Sequence, residues 1–207
     1  MTPVDLQRIR SSPVWRTHRI EVLHDTRVGG VIVKGQRAPR PAWCHQLMNG
    51  AARLAGQPLL RAVPAHGGAR AQHTEVRRLR ELAAAGLRVP QVLHVAADFF
   101  VMRYLGGQRL DALLHKSQAT PWWQRGLRAL VELHAREQCL RQAFARNFIA
   151  GEDGLAMIDF EDDLLEVMTL EQAQARDWLA YLHSSAHVLA DKRLADGVDP
   201  AGVLRAE

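Results

Sequence analysis

Residues 140–163 read LRQAFARNFIAGEDGLAMIDFEDD. Two short apolar runs, Phe148 to Ala150 and Leu155 to Ile158, flank Gly151-Glu152-Asp153-Gly154. The polar, glycine-bounded centre is turn chemistry, so the stretch predicts two short strands joined there. Asn147 precedes the first strand and Asp159 follows the second. Both can supply oxygen ligands to magnesium. Each also has a plainer reading. Asn147 can be a turn residue whose amide bonds local backbone. Asp159 is the sharper of the two, because a carboxylate that ends Leu155-Ala156-Met157-Ile158 leaves an apolar strand and has to find a partner.

Upstream, Trp15 to Val22 and Val28 to Val33 read as strands separated by His24-Asp25-Thr26-Arg27, with Gly29-Gly30 opening the second. Pro39 and Pro41 interrupt any regular element, residues 44–55 suggest a helix, and Gln57 to Gly68 reads as a connection. Residues 71–85 form a helix by pattern, with Leu79 and Leu82 on one face and Arg77, Arg78 and Arg80 largely elsewhere. After Gly86 and Pro90, the runs Val92 to Ala96 and Phe99 to Leu105 predict an antiparallel hairpin turning near Asp98. Helical spacing then dominates over 110–114, 121–134 and 170–190. A strand-rich part, 1–105, thus precedes a helix-rich part, 106–207, with the boundary at Gly106-Gly107 and a cleft expected between them.

The 207 residues are 47% hydrophobic and 24% charged, a composition that folds. Residues 1–90 hold 15 Lys/Arg against 5 Asp/Glu, and residues 91–207 hold 12 against 17. The basic first part suits an anionic partner: nucleotide phosphates, nucleic acid or an anionic membrane surface. No pattern establishes nucleic-acid recognition, and a phosphate site explains the excess more locally. Trp122-Trp123 reads as packing, or as a peripheral membrane contact if exposed. Cys44 and Cys139 make no disulfide framework, and there is neither a signal-peptide pattern nor a long apolar run, so a cytoplasmic location is expected, with the inner face of the membrane open to it. The ten histidines show no metal-ligand spacing, and neither oligomeric state nor physiological partner is readable.

One further pair completes the chemistry. Lys34 ends Val31-Ile32-Val33-Lys34, and Glu75 lies in the next substantial helix. A lysine there can neutralise phosphate oxygens if a carboxylate holds it. Alternatively, Lys34 protects a strand edge and Glu75 pairs with its own helix neighbours.

In order, Lys34, Glu75, Asn147 and Asp159 resemble the protein-kinase fold, in particular the compact bacterial kinases of lipopolysaccharide sugars such as the 3-deoxy-manno-octulosonic acid kinase group, over residues 15–190. The resemblance implies an α+β, two-lobed fold with a small strand-rich N-lobe and a reduced helical C-lobe. ATP and magnesium would be its cofactors. It makes Lys34 the phosphate-contacting lysine, Glu75 its partner, Met102-Arg103-Tyr104-Leu105 the hinge beside the adenine, and Asn147 with Asp159 the magnesium ligands. Asp177 resembles the buried aspartate that supports the catalytic loop. The resemblance implies a non-peptide hydroxyl as acceptor, such as a sugar of an envelope glycolipid. Separately, the little room after Asp163 for the activation segment of a peptide kinase argues against ordinary protein substrates.

Three departures accompany these matches. Gln142 stands where an active kinase carries the aspartate that receives the hydroxyl proton, and an amide is a very weak base. The nucleotide-covering hairpin keeps only Gly29 and Gly30. Glu161, followed by Asp162 and Asp163, replaces the usual glycine after Asp159-Phe160. Glu161 or Asp162 could substitute for the missing base, enlarge the metal site, or simply form an acidic loop. A pseudokinase that senses nucleotide, or a scaffold for an envelope-assembly protein, is the alternative to an enzyme.

Overall fold

The computed structural model describes residues 1–38, 49, 54, 56, 59, 61–64, 66–116, 119–140 and 143–196. Gln142 and Cys44 lie outside the described residues, as does the helix expected over 44–55 apart from 49 and 54.

Strand β2 (Gly29–Gly35) organises the first half. It lies between β1 (Ile20–Thr26) and β4 (Phe99–Arg103), with β3 (Val92–Val95) beyond β4, in an all-antiparallel sheet ordered β1-β2-β4-β3. Alternate side chains of a strand face opposite ways. Val31 and Val33 therefore join Leu23, Phe99 and Val101 in a cluster with Ile9 and Trp15, from helices α1 (Pro3–Ser11) and α2 (Val14–His18). Phe100 and Met102 face the other way, onto Val76, Leu79 and Leu82 of helix α3 (Gly68–Ala84). Lys34 is paired in register with Ile20 on one side and Phe100 on the other. An interior strand needs no edge protection, which removes that reading of Lys34.

The chain between 14 and 22 departs from the strand its pattern suggests. Val14–His18 is helical, Arg19 takes a left-handed φ of 68°, and the strand starts only at Ile20. The physical reason is Trp15, buried in the cluster with its indole N–H donating to the Ile9 carbonyl at 2.8 Å. A tertiary anchor overrides the local preference of a Trp/Val-rich run. Helix α1 has a local signal after all. Pro3 opens it, and the Thr2 side chain accepts from the Asp5 N–H while Asp5 accepts from the Thr2 N–H, a capping box.

From β4 the chain passes Leu105-Gly106-Gly107, both glycines at positive φ, into β5 (Gln108–Arg109), α4 (Leu110–Leu114) and α5 (Ala119–Ala135). At Gly107 a Cβ would collide with the Ala150 backbone carbonyl, so the close approach of the chain entering β5 to its neighbouring strand needs glycine there. A 3-10 turn (Ala145–Asn147) leads into β6 (Phe148–Gly151) and β7 (Gly154–Met157), which with β5 form a sheet ordered β5-β6-β7. Another 3-10 turn (Leu164–Glu166) precedes α6 (Leu170–Asp196). Leu110, Leu130, Phe148 and Tyr181 belong to the same apolar cluster as Leu79, Phe100 and Met102, so one core runs from α3 to α6. Trp123 is buried in it and donates to Ser185 at 2.8 Å, so the Trp122-Trp123 pair is not exposed as a unit. The fold is α+β, built from two antiparallel sheets and their helices. Among the described residues no helix is long and apolar enough to cross a membrane.

Candidate functional site

A cavity of about 540 Å³ has walls from both sheets. Ile32, Lys34 and Met102 line one wall, Asn147, Ile149 and Asp159 the other, and Tyr104 to Gly107 closes one side. Its aliphatic side chains make part of the lining apolar, while the carboxylates of Glu75, Asp159 and Glu161 gather around Lys34.

Lys34 is buried, and its Nζ lies 2.7 Å from Glu75 Oε1, 2.7 Å from Glu161 Oε1 and 3.7 Å from Asp159 Oδ1. Burial works against its charge, but the three carboxylates outweigh it and hold the ammonium above its ordinary pKa. Glu75 is raised by its own burial and by neighbouring carboxylates, an effect that Lys34 only partly offsets. Two carboxylates thus share one ammonium at 2.7 Å each. The helix neighbours of Glu75 are otherwise engaged: Arg78 pairs with Glu81 at 2.9 Å and donates to the Cys139 carbonyl at 2.9 Å.

Asp159 follows β7 at φ 73°, a left-handed conformation that costs a non-glycine residue on the order of 1–3 kcal/mol. The buried Phe160 ring pins the next position into the core. Asn147 is buried at the end of its 3-10 turn, where its carbonyl accepts the Ile158 N–H at 3.0 Å. That bond fixes Asn147 to the residue before Asp159, and both line the cavity. Carboxylate oxygens of Glu75, Asp159 and Glu161 lie within 4.8 Å of one another. With Asn147 alongside, the donors are all oxygen, the chemistry magnesium prefers.

The acidic run after Asp159 is not a loose loop. Glu161 is buried and takes Arg19 and Lys34 on Oε1 and Arg37 on Oε2, the last at 2.9 Å. Burial alone would raise its pKa, but Lys34 and Arg19 overcome this and hold it at about 2. Asp162 pairs with Arg37 at 2.8 Å and does not line the cavity. Asp163 meets Arg77 of α3 at 2.6 Å and accepts the Leu165 N–H at 3.0 Å, capping the following turn. Arg19 and Arg37 were not singled out by sequence, because their partners lie 142 and 125 residues away. The one hint was the arginine excess of residues 1–90.

The remaining candidates divide. Met102 and Tyr104 line the cavity; Gly29 and Gly30 do not. Gly30 instead lets β2 pass close to Tyr104, whose side chain stands 3.2 Å from where a Cβ would be, and Gly30 O accepts the Tyr104 N–H at 2.9 Å. Asp177 is buried and accepts the Leu140 N–H at 2.6 Å, with His134 Nε2 at 3.4 Å from the same oxygen. Burial raises its pKa to about 6 against the pull of these partners. It thereby anchors the entry to the segment that ends in Asn147.

No family model matches this chain, and no curated protein matches it significantly.

Proposed function

We propose that the chain is a compact two-lobed, kinase-like domain that binds ATP with magnesium and transfers a phosphoryl group to a non-peptide hydroxyl. The observation that carries this reading is the buried Lys34, bonded to Glu75 of α3 in the wall of a cavity that Asp159 and Asn147 also line. The cavity lining has a cationic surplus: Arg19, Lys34, Arg103, Arg109 and Arg146 against Glu75, Asp159 and Glu161. A surplus of positive charge suits a polyphosphate. The Met102-to-Gly107 strip and the aliphatic wall suit a purine.

In this mechanism Lys34 neutralises phosphate oxygens and Glu75 keeps its ammonium aimed. Asn147 and Asp159 would hold magnesium, which supplies charge neutralisation on the phosphates when bound. Phosphoryl transfer depends mostly on positioning and electrostatics, so a weak base does not by itself abolish it. The envelope-glycolipid acceptor follows from the resemblance of the Lys34, Glu75, Asn147 and Asp159 order, and with such an acceptor the protein would work at the inner face of the membrane.

A second reading, a pseudokinase that binds nucleotide without turnover, is favoured by one observation. Neither carboxylate that could replace Gln142 is available as a base: Glu161 is bound by three cations and Asp162 faces away from the cavity, onto Arg37.

Titration calorimetry of ATP, with and without magnesium, tests the site on the parent and on Asp159→Asn. Magnesium-dependent binding that weakens at least tenfold in Asp159→Asn is expected; a folded parent that binds no ATP overturns the reading. Phosphate transfer to sugar acceptors then separates the enzyme from the pseudokinase.

A further inference from the structure

The geometry points to Arg19 as the residue that selects for the nucleotide's terminal phosphates, with Glu161 standing in for a phosphate until nucleotide arrives. This inference rests on the nucleotide reading of the cavity and deepens it.

Four observations support it. First, Arg19 is placed by strain and by two bonds to one residue. It adopts φ 68°, its carbonyl accepts the Gly35 N–H at 2.7 Å, and its Nε donates to the Gly35 carbonyl at 3.3 Å. Gly35 is itself packed tightly against α2, since a Cβ there would stand 3.0 Å from the Trp15 ring and 3.3 Å from the Trp15 carbonyl oxygen. The Arg19 backbone is thus held beside the end of β2, one residue from Lys34, while the outer nitrogens of its guanidinium remain able to exchange partners. Non-glycine residues hold such a conformation where the surroundings over-determine it, and functional sites are where this clusters.

Second, Arg19 and Lys34 converge on the same oxygen, Glu161 Oε1. Two cations on one anionic oxygen is an arrangement that a phosphate oxygen could occupy equally well. Third, Arg19 lines the cavity and is about a third exposed, whereas Arg37, on the other Glu161 oxygen, is more buried and does not line it. When Arg19 turns to a ligand, Lys34 and Arg37 still neutralise Glu161, so the exchange leaves no buried charge bare. Fourth, Gly29 and Gly30 lie outside the cavity lining whereas Arg19 is part of it. From just before β1, Arg19 brings a cation into the cavity beside Lys34.

Calorimetry with adenosine, ADP and ATP on the parent, Arg19→Gln and Glu161→Gln tests the exchange. For Arg19→Gln, adenosine affinity is expected to stay within twofold, which also certifies the fold, while ATP binding weakens about tenfold to a hundredfold, the usual worth of a charge-assisted contact. For Glu161→Gln, ATP binding without magnesium is expected to tighten severalfold, because the competing anion is gone. Equal ATP affinity in parent and Arg19→Gln overturns this inference alone, as does weakened magnesium-free ATP binding in a folded Glu161→Gln. A parent that binds neither adenosine nor ATP overturns the nucleotide reading and this inference with it.

Discussion

Glu161 shows how far a single side chain is determined by its neighbours. Its pKa is about 2 in the folded protein and about 4.5 in an unfolded chain. A depressed carboxyl pKa contributes stability that is present above the unfolded value and lost as pH falls through the folded one. The window is therefore roughly pH 4.5 down to pH 2, and the shift corresponds to about 3 kcal/mol. In chelator-treated protein, the unfolding free energy from urea titrations is expected to fall across that window by about this amount more for the parent than for Glu161→Gln. Parallel pH profiles would show that the three cations do not hold this carboxylate. The residues themselves were unevenly legible. Lys34, Glu75, Asn147 and Asp159 could be picked out because each ends or opens a recognisable element. Arg19 could not, since nothing in its flanking residues marks a left-handed arginine, and the carboxylate that defines its role is 142 positions away.

At the scale of elements, the contact between α5 and α6 is set by one glycine. A Cβ on Gly126 would occupy the place of the Tyr181 hydroxyl, which donates to the Trp123 carbonyl at 2.7 Å. Tyr181 is fully buried and touches Phe148 edge-on, so it has nowhere to retreat. Gly126→Ala gains up to about 1 kcal/mol of helix propensity, but overpacking costs about 1–3 kcal/mol and the displaced hydroxyl about 1–3 kcal/mol more. A net loss of roughly 1–6 kcal/mol is expected, read as a drop of at least about 2 °C and up to about 20 °C in the thermal midpoint. An unchanged midpoint would mean that the helices separate without penalty. Elements of this kind were mostly legible: hydrophobic periodicity located α5, α6, the β3–β4 hairpin and the β6–β7 hairpin to within a few residues. The segment 14–19 was not, because a β-rich sequence was claimed by a buried tryptophan, an outcome that depends on Ile9 and Gly35 rather than on local pattern. Helix α1 is hard to read for a different reason: its capping signal is short and its body is polar, so periodicity does not mark it.

Across the whole molecule, the apolar cluster that joins α3 and β4 to α4, α5 and α6 makes the two sheets interdependent. The Met157 N–H also donates to the Arg88 carbonyl at 2.9 Å, and Lys34 to Glu161 and Arg77 to Asp163 add ionic ties from the first half to the second. A single cooperative transition is expected, with tryptophan fluorescence and far-ultraviolet circular dichroism changing together through urea unfolding. Two separated transitions would show that the halves are stable apart. The same long-range ties have a consequence in time. A ribosome adds about 5–20 residues per second, so roughly 7–28 s separate the appearance of Arg19 from that of Glu161, 142 residues later. Through that interval the arginine-rich first half is emerging without the carboxylate on which its cations meet. The nascent chain acquires a finished cleft only after most of it has been made, which leaves the early basic segment open to whatever polyanion or chaperone reaches it first.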